Sequence, residues 1–304
     1  MTLLLAFPGM AELGAAIAEA LGGEFRALDI HRFPDGESLV TLPEVSGRDV
    51  AILATLHHPD ALALPLWFAA HEARAMGAGS VGLIAPYLAY MRQDRAFAPG
   101  QAVSAPLFAR FLEQGFDWLV TADPHLHRIR TLGEIFRIPA ERVEAAPLLA
   151  QWIEQNIEHP IVIGPDSESK QWVAEVARLA GAPFQVLAKQ RHGDRSVEIS
   201  GLDGDDLGSR TPVILDDIAS TGQTMIKTVE KLLALGSRPP VCVVIHAVFA
   251  GNAYRDILAA GAARIVSTDS IPHASNAITL AHGLAAAVVG VSQQAPPAVS
   301  LHKT

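Results

Sequence analysis

The residues best suited to chemistry lie in one stretch that runs from Pro212 to Thr224. An apolar run, expected as a strand over Pro212–Leu215, meets two carboxylates, Asp216 and Asp217. The short segment Ser220-Thr221-Gly222-Gln223-Thr224 follows and opens a helical pattern. Backbone N–H groups at the start of a helix, with the positive end of its dipole, suit an anion, and the Ser and Thr hydroxyls add donors. Gly222 lets the backbone come close to a ligand. The two carboxylates would repel a bare phosphate. They make sense if they accept hydrogen bonds from sugar hydroxyls, or face a metal ion, while the loop takes the phosphate. The combination reads as a sugar-phosphate site.

Five other stretches carry groups of this kind. Arg32-Phe33-Pro34-Asp35-Gly36-Glu37-Ser38 has turn residues at Pro34 and Gly36, which bring Asp35 and Glu37 close together. In Pro86-Tyr87-Leu88-Ala89-Tyr90-Met91-Arg92-Gln93-Asp94-Arg95, Arg92 and Arg95 can each offer a planar fork of donors to phosphate oxygens. Asp123-Pro124-His125-Leu126-His127 and Gly164-Pro165-Asp166 each follow an apolar run. Lys189-Gln190-Arg191 follows another, Gln185–Ala188, and precedes the polar His192-Gly193-Asp194-Arg195. The pair His57-His58 reads as loop.

These groups must be held by elements, and the elements alternate. Short apolar or β-branched runs recur at Asp49–Thr55, Ser80–Pro86, Trp118–Ala122, Pro160–Gly164, Pro212–Leu215, Val241–Ile245 and Arg264–Ser267. Segments of helical spacing separate most of them. In Thr224–Leu235, Ile226, Val229 and Leu233 share a face and Gly236 marks the stop. Alternation of this kind predicts parallel sheets covered by helices, with ligands at the carboxyl ends of the strands. A break near Arg137–Pro147 divides the chain into two α/β domains of similar build, expected at residues 1–142 and 143–290, with a frayed tail over 291–304.

Bulk composition narrows the function classes. The chain has 304 residues, half of them hydrophobic and 18% charged, with net charge −9. It can bury sizeable cores, and it shows no basic stripe for nucleic acid. Its single cysteine, Cys242, lies in an apolar run and is expected as a small hydrophobe in a buried strand. The absence of a disulfide framework fits a cytoplasmic location. The N-terminus lacks a basic n-region, and no apolar stretch reaches the length of about 18 residues that a membrane span needs.

The motifs together resemble the ribose-phosphate pyrophosphokinases, the synthetases of phosphoribosyl pyrophosphate. Asp216–Thr224 resembles the ribose-phosphate loop of the type I phosphoribosyltransferase fold, and the matches run in family order from about Phe33 to about Ser270. The resemblance implies two phosphoribosyltransferase-like domains. It implies ATP held by Phe33, Asp35, Glu37, Arg92, Gln93, Arg95 and His125. Ribose 5-phosphate would lie on Arg191, Asp216, Asp217, Ser220, Thr221, Gly222, Gln223 and Thr224. It places Mg²⁺ at His125 and Asp166, makes Lys189 and Arg191 catalytic, and implies a homo-oligomer, dimer or hexamer. Three positions depart from the family pattern. Ser220 stands where an acidic residue is common, Glu168 where glycine is usual, and Ala96–Gln101 lacks the Ser/Arg character of the phosphate-activated branch, which implies weak inhibition by ADP.

Two other readings stay open on the residues. A phosphoribosyltransferase explains the loop but not Arg92–Arg95 or Lys189-x-Arg191. A non-catalytic regulatory homologue would be expected to lose Lys189, His125 or Asp166, and all three are present.

Overall fold

The computed structural model describes residues 2–126, 128–166, 169–187 and 204–294. The chain forms two compact units. One takes residues 1–144 and 280 onward, and the other takes Ala145–Thr279.

The first unit runs β1 (Thr2–Ala6), α1 (Ala11–Leu21), β2 (Glu24–Ala27), β3 (Asp29–Arg32), β4 (Ser38–Thr41), β5 (Asp49–Leu53), α2 (Pro59–Ala75), β6 (Ser80–Ala85), α3 (Ser104–Leu112), β7 (Trp118–Ala122) and β8 (Ala140–Val143). The second runs α4 (Ala146–Asn156), β9 (Pro160–Gly164), α5 (Lys170–Leu179), β10 (Phe184–Val186), α6 (Gly204–Ser209), β11 (Thr211–Ile218), α7 (Gln223–Ala234), β12 (Val241–His246), α8 (Ala253–Ala259), β13 (Arg264–Thr268) and β14 (Asn276–Ile278). The last helix, α9 (Ala281–Ser292), packs on α1, β7 and β8.

Each unit is built on a parallel six-stranded sheet. The orders are β2-β1-β5-β6-β7-β8 and β10-β9-β11-β12-β13-β14. Renumbered within each sheet, both read 2-1-3-4-5-6, so the two units share one topology. A separate antiparallel pair, β3–β4, stands beside the first sheet with Arg32 opposite Ser38.

Burial on both faces explains the strand sequences. Leu3, Leu5, Val50, Ile52, Val81 and Leu83 cluster with Leu66, Ala69 and Ala73 of α2 and Phe108 and Ala109 of α3. The alternate residues turn to the other face. There Gly14 of α1 comes so close that an added Cβ would meet Ala6 at 3.1 Å and Leu4 at 3.3 Å. In the second unit, Ile161, Ile163, Ile214, Cys242, Val244 and Ile265 pack with Met225, Val229 and Leu232 of α7 and Ile257 of α8. Cys242 is the buried strand hydrophobe expected of it, and burial first, then the charge of Asp216, pushes its thiol up to about 12.

The structure refines several expectations. The acid pair lies inside β11, which runs on to Ile218 instead of stopping at Leu215. The buried face of α7 is Met225, Thr228, Val229 and Leu232, with Ile226 and Leu233 at its margin. The expected boundary at 142 falls at 144, and α9 groups with the first unit rather than with the 143–290 domain. Residues 291 and 292, expected in the tail, belong to α9, and Val291 is buried.

A close fit in the first core gives a test. The Trp118 ring lies on Gly82, where an added Cβ would fall 1.8 Å from Cε2. Trp118 is fully buried in a strand and cannot move aside. Gly82→Ala should cost about 3 kcal/mol or prevent folding. A urea melt of the variant within about 0.5 kcal/mol of the parent would contradict this packing.

Candidate active site

The second unit brings most of the predicted sugar-phosphate residues together. In a sheet ordered 2-1-3-4-5-6, the connections leave strands 1 and 3 in opposite directions, and a crevice opens outside their carboxyl ends. In this unit those strands are β9 and β11, which are paired in parallel. Asp166 lies two residues beyond the end of β9, and Asp216 and Asp217 stand near the end of β11.

Their electrostatics are strained. Asp216 is largely desolvated, and this pushes its carboxyl up to about 8. The charge of Asp217, a hydrogen bond shared with the Asp217 side chain and the charge of Asp166 push in the same direction. Only the Asp217 N–H, 3.0 Å from Asp216 Oδ1, opposes them. Asp166 is oriented by Ser169, whose N–H donates to Oδ1 at 3.0 Å and whose hydroxyl donates to the Asp166 carbonyl at 2.7 Å. Three acids close enough to act on one another suit a set of sugar hydroxyls, and one or two of them could face a hydrated cation. Among the described residues no three His, Cys, Asp or Glu side chains are grouped so that they could hold a metal ion. Mg²⁺ does not need such a group, because it binds through one or two carboxylates, waters and substrate phosphates.

The loop from β11 to α7 passes Ser220 and Thr221, and Gly222 is the N-cap of α7 with φ 72° and ψ −3°. That left-handed conformation favours glycine. The space does too: an added Cβ would meet Ile257 Cδ1 at 3.0 Å. Gln223 and Thr224 form the first turn of α7 and are exposed. Among the described residues no side chain caps this helix, which suits its first N–H groups to a ligand.

The first unit carries the predicted nucleotide residues at three places. Phe33, Asp35 and Glu37 occupy the turn of the β3–β4 hairpin. Phe33 N–H donates to the Glu37 carbonyl at 2.9 Å, and Gly36 has φ 95°. The Asp35 carboxylate accepts the Glu37 N–H at 3.1 Å, and Phe33 is exposed, edge-on to His31 at 4.6 Å. Arg92, Gln93 and Arg95 lie on the loop after β6. Tyr90 anchors that loop with φ 64°, a hydrogen bond from its hydroxyl to Asp60, and its ring 4.8 Å from Phe108. Gln93 O accepts the Ala105 N–H at 3.2 Å, and Arg95 stacks over Phe97 at 4.9 Å. His125 follows β7 in the next loop, behind Asp123, whose φ is 29°.

A contact missed from the sequence ties these last two loops together. The Asp94 side chain is buried and accepts from Arg128 Nη1 at 3.0 Å and from the Arg128 backbone N–H at 3.2 Å. Its signal in the sequence is an acid set between Gln93 and Arg95. His57 and His58 lie in the loop from β5 to α2, as expected, with rings 4.5 Å apart. Metal candidates His125 and Asp166 belong to different units. Lys189, Arg191 and Glu168 lie outside the described residues.

The charge crowding sets a pH dependence. Between about pH 4 and pH 8 the folded chain holds a proton on Asp216 that the unfolded chain has released, so stability from this site falls as pH rises through that window. Raising the pH from about 5 to 8 should therefore lower the Tm of the parent chain more than that of Asp216→Asn. Parallel Tm profiles for the two would contradict the assignment.

Comparison with known proteins places the chain. Residues 2–115 match the family profile described as the N-terminal domain of ribose phosphate pyrophosphokinase, and residues 131–280 match the phosphoribosyl transferase domain. A ribose-phosphate pyrophosphokinase of Methanopyrus kandleri is 35% identical over 92% of this chain and 96% of its own length. One of Halobacterium salinarum is 34% identical over 94% of this chain and 100% of its own. The crystal structure of phosphoribosylpyrophosphate synthetase from Mycobacterium smegmatis superposes with a TM-score of 0.83 at 24% identity, over 96% of this chain and 99% of that one, which supports the fold. With both profiles matched in order and the relatives covered nearly end to end, the chain belongs to the ribose-phosphate pyrophosphokinase family.

Proposed function

We propose that this chain transfers the β,γ-diphosphoryl group of ATP to the C1 hydroxyl of ribose 5-phosphate, giving phosphoribosyl pyrophosphate and AMP. The observation that carries this reading is the acid set Asp166, Asp216 and Asp217 at the crevice between β9 and β11, beside the uncapped helix start at Gly222. Carboxylates for sugar hydroxyls and N–H donors for a phosphate meet at one strand edge.

In this account the 5-phosphate lies on Ser220, Thr221, Gly222, Gln223 and Thr224, and the ribose hydroxyls face Asp216 and Asp217. Arg191 helps to clamp the sugar phosphate. ATP is held by Phe33, Asp35, Glu37, Arg92, Gln93, Arg95 and His125. The C1 hydroxyl oxygen attacks the β-phosphorus in line. The O1–Pβ bond forms as the bond from Pβ to the bridging oxygen breaks, that oxygen leaves with AMP, and the hydroxyl proton passes to solvent. Little covalent chemistry is asked of the protein, so positioning and charge neutralisation carry the rate. Lys189 and Arg191 supply positive charge to the migrating phosphates. Mg²⁺ bound with the substrate phosphates would neutralise charge on the nucleotide, and the residues expected to hold it are His125 of the first unit and Asp166 of the second. The crowding at Asp216 fits a nearby cation.

The N-terminal profile match weighs against a phosphoribosyltransferase, because it covers the half that carries Arg92–Arg95. No helix among the described residues is long and apolar enough to cross a membrane, and a cytoplasmic location is our expectation from the sequence. A homo-oligomer, dimer or hexamer, remains our expectation.

The test is AMP release from Mg-ATP with and without ribose 5-phosphate, with phosphoribosyl pyrophosphate assayed in parallel. Both products should appear together and only with the sugar phosphate. AMP release that ignores the sugar phosphate, or nucleotide binding without turnover, would overturn the reading. Lys189→Ala should lower kcat by at least about 100-fold with an unchanged Tm. Turnover near that of the parent would remove Lys189 from catalysis.

A further inference from the structure

The loop read above as the phosphate site does not hold its own shape. Among the described residues, the side chains of Ser220 and Thr221 make no hydrogen bond to the rest of the unit, yet an oxyanion site needs its N–H groups fixed in advance. The fixing comes from the segment that follows β12. Phe249 N–H donates to the Ala219 carbonyl at 2.7 Å, and Ala250 N–H donates to the Ser220 carbonyl at 3.0 Å. In return, Ala219 N–H donates to the His246 carbonyl at 3.2 Å. Two loops are thus laced together by their main chains.

The lacing depends on an unfavourable backbone. Phe249 has φ 32°, which a residue with a bulky side chain rarely adopts. Such a conformation persists only where the surroundings over-determine it, and it tends to mark functional sites. Here the surroundings are aromatic. The Phe249 ring lies 5.4 Å from Tyr254 and 4.8 Å from His273, and those two rings are 4.8 Å apart. His273 is itself locked, since its Nδ1 accepts the Ser275 N–H at 3.1 Å and lies 2.8 Å from the Ser275 hydroxyl. The other end of the segment is pinned by His246, fully buried, with Nδ1 2.9 Å from Ser270 Oγ.

We infer that Phe249 and His273 are positioning residues for sugar-phosphate binding: the ring cluster holds Phe249 in its left-handed conformation, and the Phe249 and Ala250 N–H groups then hold Ala219 and Ser220 so that the loop presents its donors. This inference rests on the reading of Ser220–Thr224 as the phosphate loop. Neither residue belongs to the Ser220–Thr224 loop itself. A loop that grips the phosphate equally before and during reaction contributes to KM and not to kcat.

The experiment compares His273→Ala, His273→Phe and Gly222→Ala in the full chain. Steady-state KM for ribose 5-phosphate, KM for ATP and kcat are measured alongside thermal melts. His273→Ala should raise KM for ribose 5-phosphate about tenfold while KM for ATP and kcat stay within about twofold. His273→Phe keeps a ring against Phe249 and should restore KM to within about threefold of the parent. Should His273→Ala fail to fold, Phe249→Leu carries the same expectation. If Gly222→Ala raises KM for ribose 5-phosphate and His273→Ala does not, the buttress is refuted and the phosphate loop stands. If neither variant moves it, the loop reading fails and the buttress with it. Equal losses in every parameter, unrescued by His273→Phe, would show a merely structural role.

Discussion

A parallel strand covered by helices on both faces has no water along its length, so a charged side chain can stand only at its ends. β11 obeys this limit closely: Pro212, Val213, Ile214 and Leu215 are buried, and the carboxylates begin at Asp216. Because every strand of the sheet runs the same way, the carboxyl ends gather at one edge, and Asp166 arrives there from β9. Asp216 is still partly inside the desolvated region, which is why burial is the largest cause of its raised carboxyl. The crowding is what a bound cation or a row of sugar hydroxyls would relieve. The first unit repeats the strand order, but the matching ends of β1 and β5 run into Phe7 and Pro8 and into Ala54 and Thr55. The shared topology therefore carries this acid set in one unit only.

Backbone strain follows the same edge. Of the described non-glycine residues with positive φ, Tyr90, Asp123 and Phe249 lie in the loops after β6, β7 and β12. His159, just before β9, is at the opposite end. Each such residue costs on the order of 1–3 kcal/mol and persists only where its neighbours impose it. For Tyr90 the neighbours are Asp60 and Phe108, and for Phe249 they are Tyr254 and His273. The packed units thus supply the stability that lets these loops hold conformations an isolated chain would avoid.

Much of this was legible in the sequence because burial on both faces writes unbroken apolar runs. Trp118–Ala122 and Pro160–Gly164 appear as strands at the expected residues. β1 is harder to see, because its apolar run is short and broken early by Pro8 and Gly9. Short edge strands such as β8 and β14 have too few buried residues to leave a pattern. That α9 groups with the first unit is a tertiary choice, since its sequence is apolar enough to pack against either sheet. The acid pair and its loop were readable because chemistry fixes the residue types. The buttress was not readable, because its bonds to the loop are main-chain N–H groups, and any residue carries those.

The central claim is that ribose 5-phosphate binds at the Asp216–Thr224 edge of the second unit. Amide hydrogen exchange of the full chain, with and without ribose 5-phosphate, tests it most directly. The account predicts that added ribose 5-phosphate slows exchange in the peptides spanning residues 216–226 and 246–252. Unchanged exchange there, with protection appearing instead in the loops after β6 and β7, would contradict it.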